Sequence, residues 1–207
     1  MGRKGIVWSI MTLFSLAIAG YAVMIVMAPD LRPPYVRSLI VARPFAAIAH
    51  FLGGAIALAA GAFQFNTWIR TRHIAAHRWT GRVYLCAIAA SGFAGLYMTL
   101  HSPAGLVAQA GFGLLALAWL FSTFKAYMYI RRREVRAHQD WMIRSYALTL
   151  AAVTLRLYLP SSQMAGFSMA IAYPAIAWLC WVPNLLIAEW IVRTRSGGAP
   201  VHVAAQA

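Results

Sequence analysis

Acidic residues are scarce in this chain. Four Asp and Glu stand against 18 Lys and Arg in 207 residues, and the net charge is +14. So few carboxylates exclude a carboxylate-rich hydrolytic site. Cysteine is also scarce. Cys86 and Cys180 both lie in apolar runs, with no CxxC and no Cys/His zinc spacing. Two buried free thiols are expected. The chain has no phosphate-binding glycine loop, no nucleophile elbow and no HExxH. Soluble-enzyme chemistry has no foothold in these residues.

Charge of either sign is missing over long stretches. Gly5–Met27, Pro44–Ile69, Val83–Leu100, Ser102–Phe124 and Ser161–Ala188 carry none. About 20 helical residues cross a hydrocarbon core of about 30 Å. With 62% hydrophobic residues, the sequence predicts an all-α, polytopic transmembrane helical bundle. It forms a single domain over 1–195, and 196–207 reads as a disordered tail. Six spans are expected, at about 5–27, 44–68, 79–100, 105–129, 141–159 and 167–192. The fifth carries Arg144 and Arg156, with only a short apolar core between them. The first follows Arg3 and Lys4 as a signal peptide would, but its apolar stretch is long, and an uncleaved span is expected. Pro44 suits the first turn of the second helix. Pro103 and Gly105 mark a tight turn, and Pro160, Ser161 and Ser162 are expected to end the fifth span.

The basic residues sit in short loops. With the N-terminus inside, thirteen fall in inner segments and three (Arg32, Arg37, Arg43) in outer loops, Arg144 and Arg156 being in the fifth span. This positive-inside bias puts both termini inside and implies a multi-pass protein of a cytoplasmic (inner) membrane. It also accounts for the charge without nucleic acid, so the expected partner is the lipid bilayer. The second span is dense in Gly and Ala from Gly53 to Ala62, which suits close helix packing.

Two strings recur in order: His77-Arg-Trp79-Thr-Gly-Arg82-Val-Tyr84 and His138-Gln-Asp-Trp141-Met-Ile-Arg144-Ser-Tyr146. Each opens a span on the inner side. Two imidazoles at one depth on separate helices are how a helical bundle holds haem iron. His77 and His138 are therefore candidate axial ligands for haem b. Arg82 and Arg144 are candidate clamps for its propionates. Interfacial histidines are also ordinary, and Asp140 four residues before Arg144 is well placed for a helical ion pair. Trp79, Trp141, Tyr84 and Tyr146 fit an interfacial aromatic belt, and Glu189 a snorkelling position. His73 shares a face with His77 if that loop is helical. His50 lies about two turns inside the outer end of the second span, where an ionisable residue is a functional candidate. Its one outer histidine partner is His101, at a poorly matched depth. Arg156 has no acidic neighbour in sequence.

From about His50 to Pro160 the chain resembles the bacterial membrane proteins catalogued as domain of unknown function 2306. The likeness is carried by His50-Phe-Leu-Gly-Gly, Gly61-Ala-Phe-Gln-Phe, the His77 and His138 strings, and Ala152-Val-Thr-Leu-Arg-Leu-Tyr-Leu-Pro160. It implies a multi-span membrane protein with no assigned activity. A weaker similarity is to di-haem cytochrome b membrane proteins, which hold haem between histidines on facing helices. Two functions are expected as alternatives. One is haem-b electron transfer with a quinone or redox partner protein. The other is a non-redox small transporter or accessory subunit that binds an anion or lipid through His50, Arg144 and Arg156.

Overall fold

The computed structural model describes residues 2–197, and they are almost wholly helical. His202 and the rest of the tail beyond 197 lie outside the described residues. The helices are α1 Arg3–Met27, α2 Pro34–Ala42, α3 Pro44–Gln64, α4 Thr67–Arg72 and α5 Ile74–Leu100. They continue as α6 Gly105–Arg131, α7 Val135–Thr149, α8 Ala151–Met164, α9 Met169–Leu179 and α10 Val182–Gly197. Five stretches are long and apolar enough to cross a membrane: α1, α3, α5, α6 and the α9–α10 run. The expected fifth span corresponds to α7 followed by α8, which is not among these five. Its roughly 30 residues rise about 45 Å, but its arginines keep its hydropathy low.

Several boundaries differ from the sequence expectation. The second span stops at Gln64. There Asn66 leaves the helix and caps α4, its side-chain oxygen accepting from the Ile69 amide at 3.1 Å. His73 precedes α5 as its N-cap and packs at a tilt against Trp68, centroids 4.5 Å apart, so it shares no helical face with His77. The expected outer loop holds α2, started by Pro34 at its first position.

Pro160 does not end the fifth span but sits inside α8. The helix runs on because nearby hydroxyls serve the disturbed turn. Ser161 donates to the Leu157 carbonyl (2.7 Å) and Ser162 to that of Leu159 (2.8 Å). The last span is broken at Cys180–Trp181, since Pro183 has no amide to give the Leu179 carbonyl. Thr154 donates into that break, to the Cys180 carbonyl, and Asn184 reaches Ala147, Thr154 and Cys180. The α8–α9 turn passes through Gly166 and the α5–α6 turn through Gly105, both at positive φ.

Neighbouring passes run antiparallel, and glycine sets how closely they meet. A Cβ on Gly53 would lie 2.9 Å from the Ala87 carbonyl oxygen of α5, and one on Gly92 2.7 Å from Leu120 of α6. A Cβ on Gly61 would meet the rings of Tyr146 and Tyr84. Those tyrosines belong to the core rather than to an interfacial belt, for they are 2% and 0% exposed.

Their hydroxyls organise the middle of the bundle. Thr149 donates to the Ser145 carbonyl (2.9 Å) and Thr123 to the Trp119 carbonyl (2.8 Å). Ser145 therefore donates to Thr123 (2.7 Å). Tyr84 shares its proton between Ser145 (2.8 Å) and Thr149 (3.0 Å), which also accepts from the Trp119 indole at 2.9 Å. Beside it, Ser15 donates to Tyr146 (2.8 Å), which donates to the Leu58 carbonyl at 3.1 Å. α1, α3, α5, α6 and α7 are tied by bonds that leave each of these hydroxyls satisfied.

Candidate functional site

Loop charge divides the bundle into a basic end and a far end. At the basic end the structure brings His77 and His138 within electrostatic reach of each other. They stand two turns from Tyr84 and Ser145 on the same helix faces. His138 Nδ1 donates to the Ala126 carbonyl at 2.9 Å, which leaves its Nε2 as the lone-pair nitrogen. The Nδ1 of His77 is buried without a hydrogen-bond partner. Orientation of one imidazole through a backbone carbonyl suits a metal ligand. Among the described residues no group of three or more His, Cys, Asp or Glu gathers around a common point.

The arginines expected beside them are engaged elsewhere. Arg82 is exposed, its guanidinium over the Trp79 ring at 5.2 Å. Arg144 binds Glu189 of α10 through Nε (2.5 Å) and Nη2 (3.0 Å) and lies over Trp141 at 4.6 Å. Asp140, the expected helical partner of Arg144, instead meets Arg195 at 3.5 Å. Glu189 is thus an ion-pair member rather than a snorkelling group. Nor do His50 and His101 meet. His101 folds back on the Tyr97 carbonyl (2.8 Å), whereas His50 bonds α5 at Ser91, about 15 Å of helix away.

The larger opportunity lies in the far half, where the passes separate around a cavity of about 400 Å³. That is within the range of small-molecule sites. Its walls are mainly apolar, with Ile18, Leu39, Phe51, Phe112 and Leu155 among them. Trp119 and Thr149 of the hydroxyl network also line it, as do Tyr35, Val36 and Leu39 of α2. There Tyr35 meets Tyr173 of α9, hydroxyls 3.1 Å apart.

His50 and Arg156 both line this cavity, within electrostatic reach of each other. Arg156 Nη1 donates to its own helix at Ala152 (2.9 Å), and its guanidinium lies over the Tyr21 ring at 5.6 Å. Its Nε is buried and unpaired. Among the described residues no carboxylate pairs with it. Sequence reading singled out His50 and Arg156 but not Tyr21, Ser91 or Tyr173, whose uncharged side chains are ordinary in an apolar span. Nor did it show that α3 and α8 aim the two at one space.

The family model described as "Predicted membrane protein (DUF2306)" matches residues 47–192, well over half of the chain. The chain belongs to that family. No curated protein and no solved structure matches it.

Proposed function

We propose that this member of the predicted membrane proteins binds an amphiphile with an anionic head in the far cavity, acting as a non-redox membrane subunit. One observation carries the reading: Arg156 brings a permanent cation into a largely apolar cavity, and among the described residues no carboxylate pairs with it. A charge inside a membrane bundle is costly unless matched. An anionic head supplies the match and an apolar tail fills the rest of the space. Arg144 drops out of this role because Glu189 already holds it. Native mass spectrometry of the full chain, purified in detergent, tests the idea. The wild type should retain anionic amphiphiles in preference to neutral ones, and Arg156→Gln should lose that preference. Equal retention by both proteins would sink it.

A second reading keeps haem b between His77 and His138, with electrons passing to a quinone or redox partner. The carbonyl-oriented His138 and the unpaired His77 Nδ1 favour it. The present engagements of Arg82 and Arg144 speak against their serving as propionate clamps. An absorption spectrum decides. A haem band lost in both His77→Ala and His138→Ala supports this reading, and a colourless folded protein expressed with ample haem removes it.

A further inference from the structure

The hydrogen-bond accounting around His50 narrows the ligand class. The Nδ1 of His50 lies 3.0 Å from the Ser91 carbonyl oxygen. A carbonyl only accepts, so this nitrogen carries the proton. The Ser91 hydroxyl, 3.3 Å from the same nitrogen, spends its own proton on the His50 carbonyl at 2.8 Å. The ring is held in place by Phe51, centroids 5.8 Å apart, and by Gly95, where a Cβ would come within 2.8 Å of Nδ1. In the neutral imidazole, Nε2 is then an acceptor. It has no hydrogen-bond partner among the described residues.

The cavity lining thus carries two unlike demands within electrostatic reach of each other. Arg156 calls for an anionic oxygen, and His50 Nε2 calls for a donor. A carboxylate offers acceptors only, and so does a phosphodiester. A phosphate monoester carrying one proton offers both from a single head. Burial favours that singly charged form over the doubly charged one, and its second ionisation lies near pH 6, within easy reach.

Resting on the anionic-amphiphile reading above, we infer that the ligand is a single-chain phosphate monoester. Its anionic oxygen meets Arg156, its P–OH donates to His50 Nε2, and its chain lies along the apolar wall. A volume of about 400 Å³ suits one chain with its head.

The test uses five probes on the full chain in detergent: dodecyl phosphate, methyl dodecyl phosphate, dodecanoate, inorganic phosphate and dodecanol. Binding is read by calorimetry below micellar concentrations. Dodecyl phosphate should bind at least tenfold more tightly than the methyl diester or the carboxylate. His50→Phe should erase that preference, so that monoester and diester bind alike. The probe series on the unaltered protein stands even if the variant fails to fold.

Equal binding of monoester, diester and carboxylate would overturn this inference and leave the anion reading in place. No preference for any anionic probe over dodecanol would overturn both. Inorganic phosphate binding as tightly as dodecyl phosphate would keep the head chemistry and overturn the lipid source.

Discussion

Arg144 and Glu189 form a two-pronged ion pair, 2.5 and 3.0 Å, that ties α7 to α10 across forty-five positions of sequence. It stands on the basic side of the two breaks in the last passes, and the Arg144 side chain is only 16% exposed. Glu189→Gln should lower stability by about 2 kcal/mol, the scale of a hydrogen bond to a charged group. Arg144→Met combined with Glu189→Met should recover part of that loss, because no charge is left stranded. Thermal unfolding in detergent measures both.

Gly53 and Gly54 are neighbours with opposite tolerance. A Cβ at Gly53 meets the Ala87 backbone at 2.9 Å, which cannot move aside, whereas one at Gly54 meets only the Ser91 hydroxyl at 3.5 Å. Gly53→Ala should cost about 1–3 kcal/mol by overpacking. Gly54→Ala should be close to neutral. Melting temperatures of the two variants give the comparison, and equal effects would contradict the α3–α5 contact.

Tyr84→Phe removes one proton and keeps the ring. Ser145 and Thr149 lose the donor they share, so stability should fall by about 1–3 kcal/mol. Tyr146→Phe should show a similar loss, since the Leu58 carbonyl and the Ser15 hydroxyl each lose a partner. A double variant, read by the same melts, should depart from additivity, because the two rings stand 6.4 Å apart and share the space left by Gly61.

Pro183→Ala restores an amide at the α9–α10 break. The new donor should draw α9 and α10 toward one continuous helix and loosen the Thr154 and Asn184 contacts that now occupy the break. Faster deuterium exchange around residues 150–154 is the expected signature. Unchanged exchange there would show that the break is held by packing instead.

Much of this architecture is legible in the sequence because charge-free runs report the passes directly. α1 and α6 fall within two residues of their expected ends. Local rules failed where partners come from afar. Pro160 reads as a stop, yet serines one and two residues later keep the turn satisfied. Arg144 reads as the partner of Asp140, yet Glu189 reaches it first, and Asp140 turns to Arg195. Tyr84 and Tyr146 read as interfacial because they sit near the span ends. Gly61 makes room for both rings deep in the bundle, and nothing near either tyrosine in sequence signals that. His50 and Arg156 were recognisable as costly residues. Their shared cavity was not, because it depends on how far apart the passes stand.

The mid-bundle hydroxyls have one more consequence. Each of their protons points along a fixed route that ends on a backbone carbonyl: Thr149 on Ser145, Thr123 on Trp119, Tyr146 on Leu58. A wire that conducts protons needs every link to receive one and release another, and a carbonyl end releases none. The layer between the two histidine-bearing ends therefore offers no proton wire through these hydroxyls. A proton passing between the two faces through these groups would first have to break one of the bonds to a backbone carbonyl.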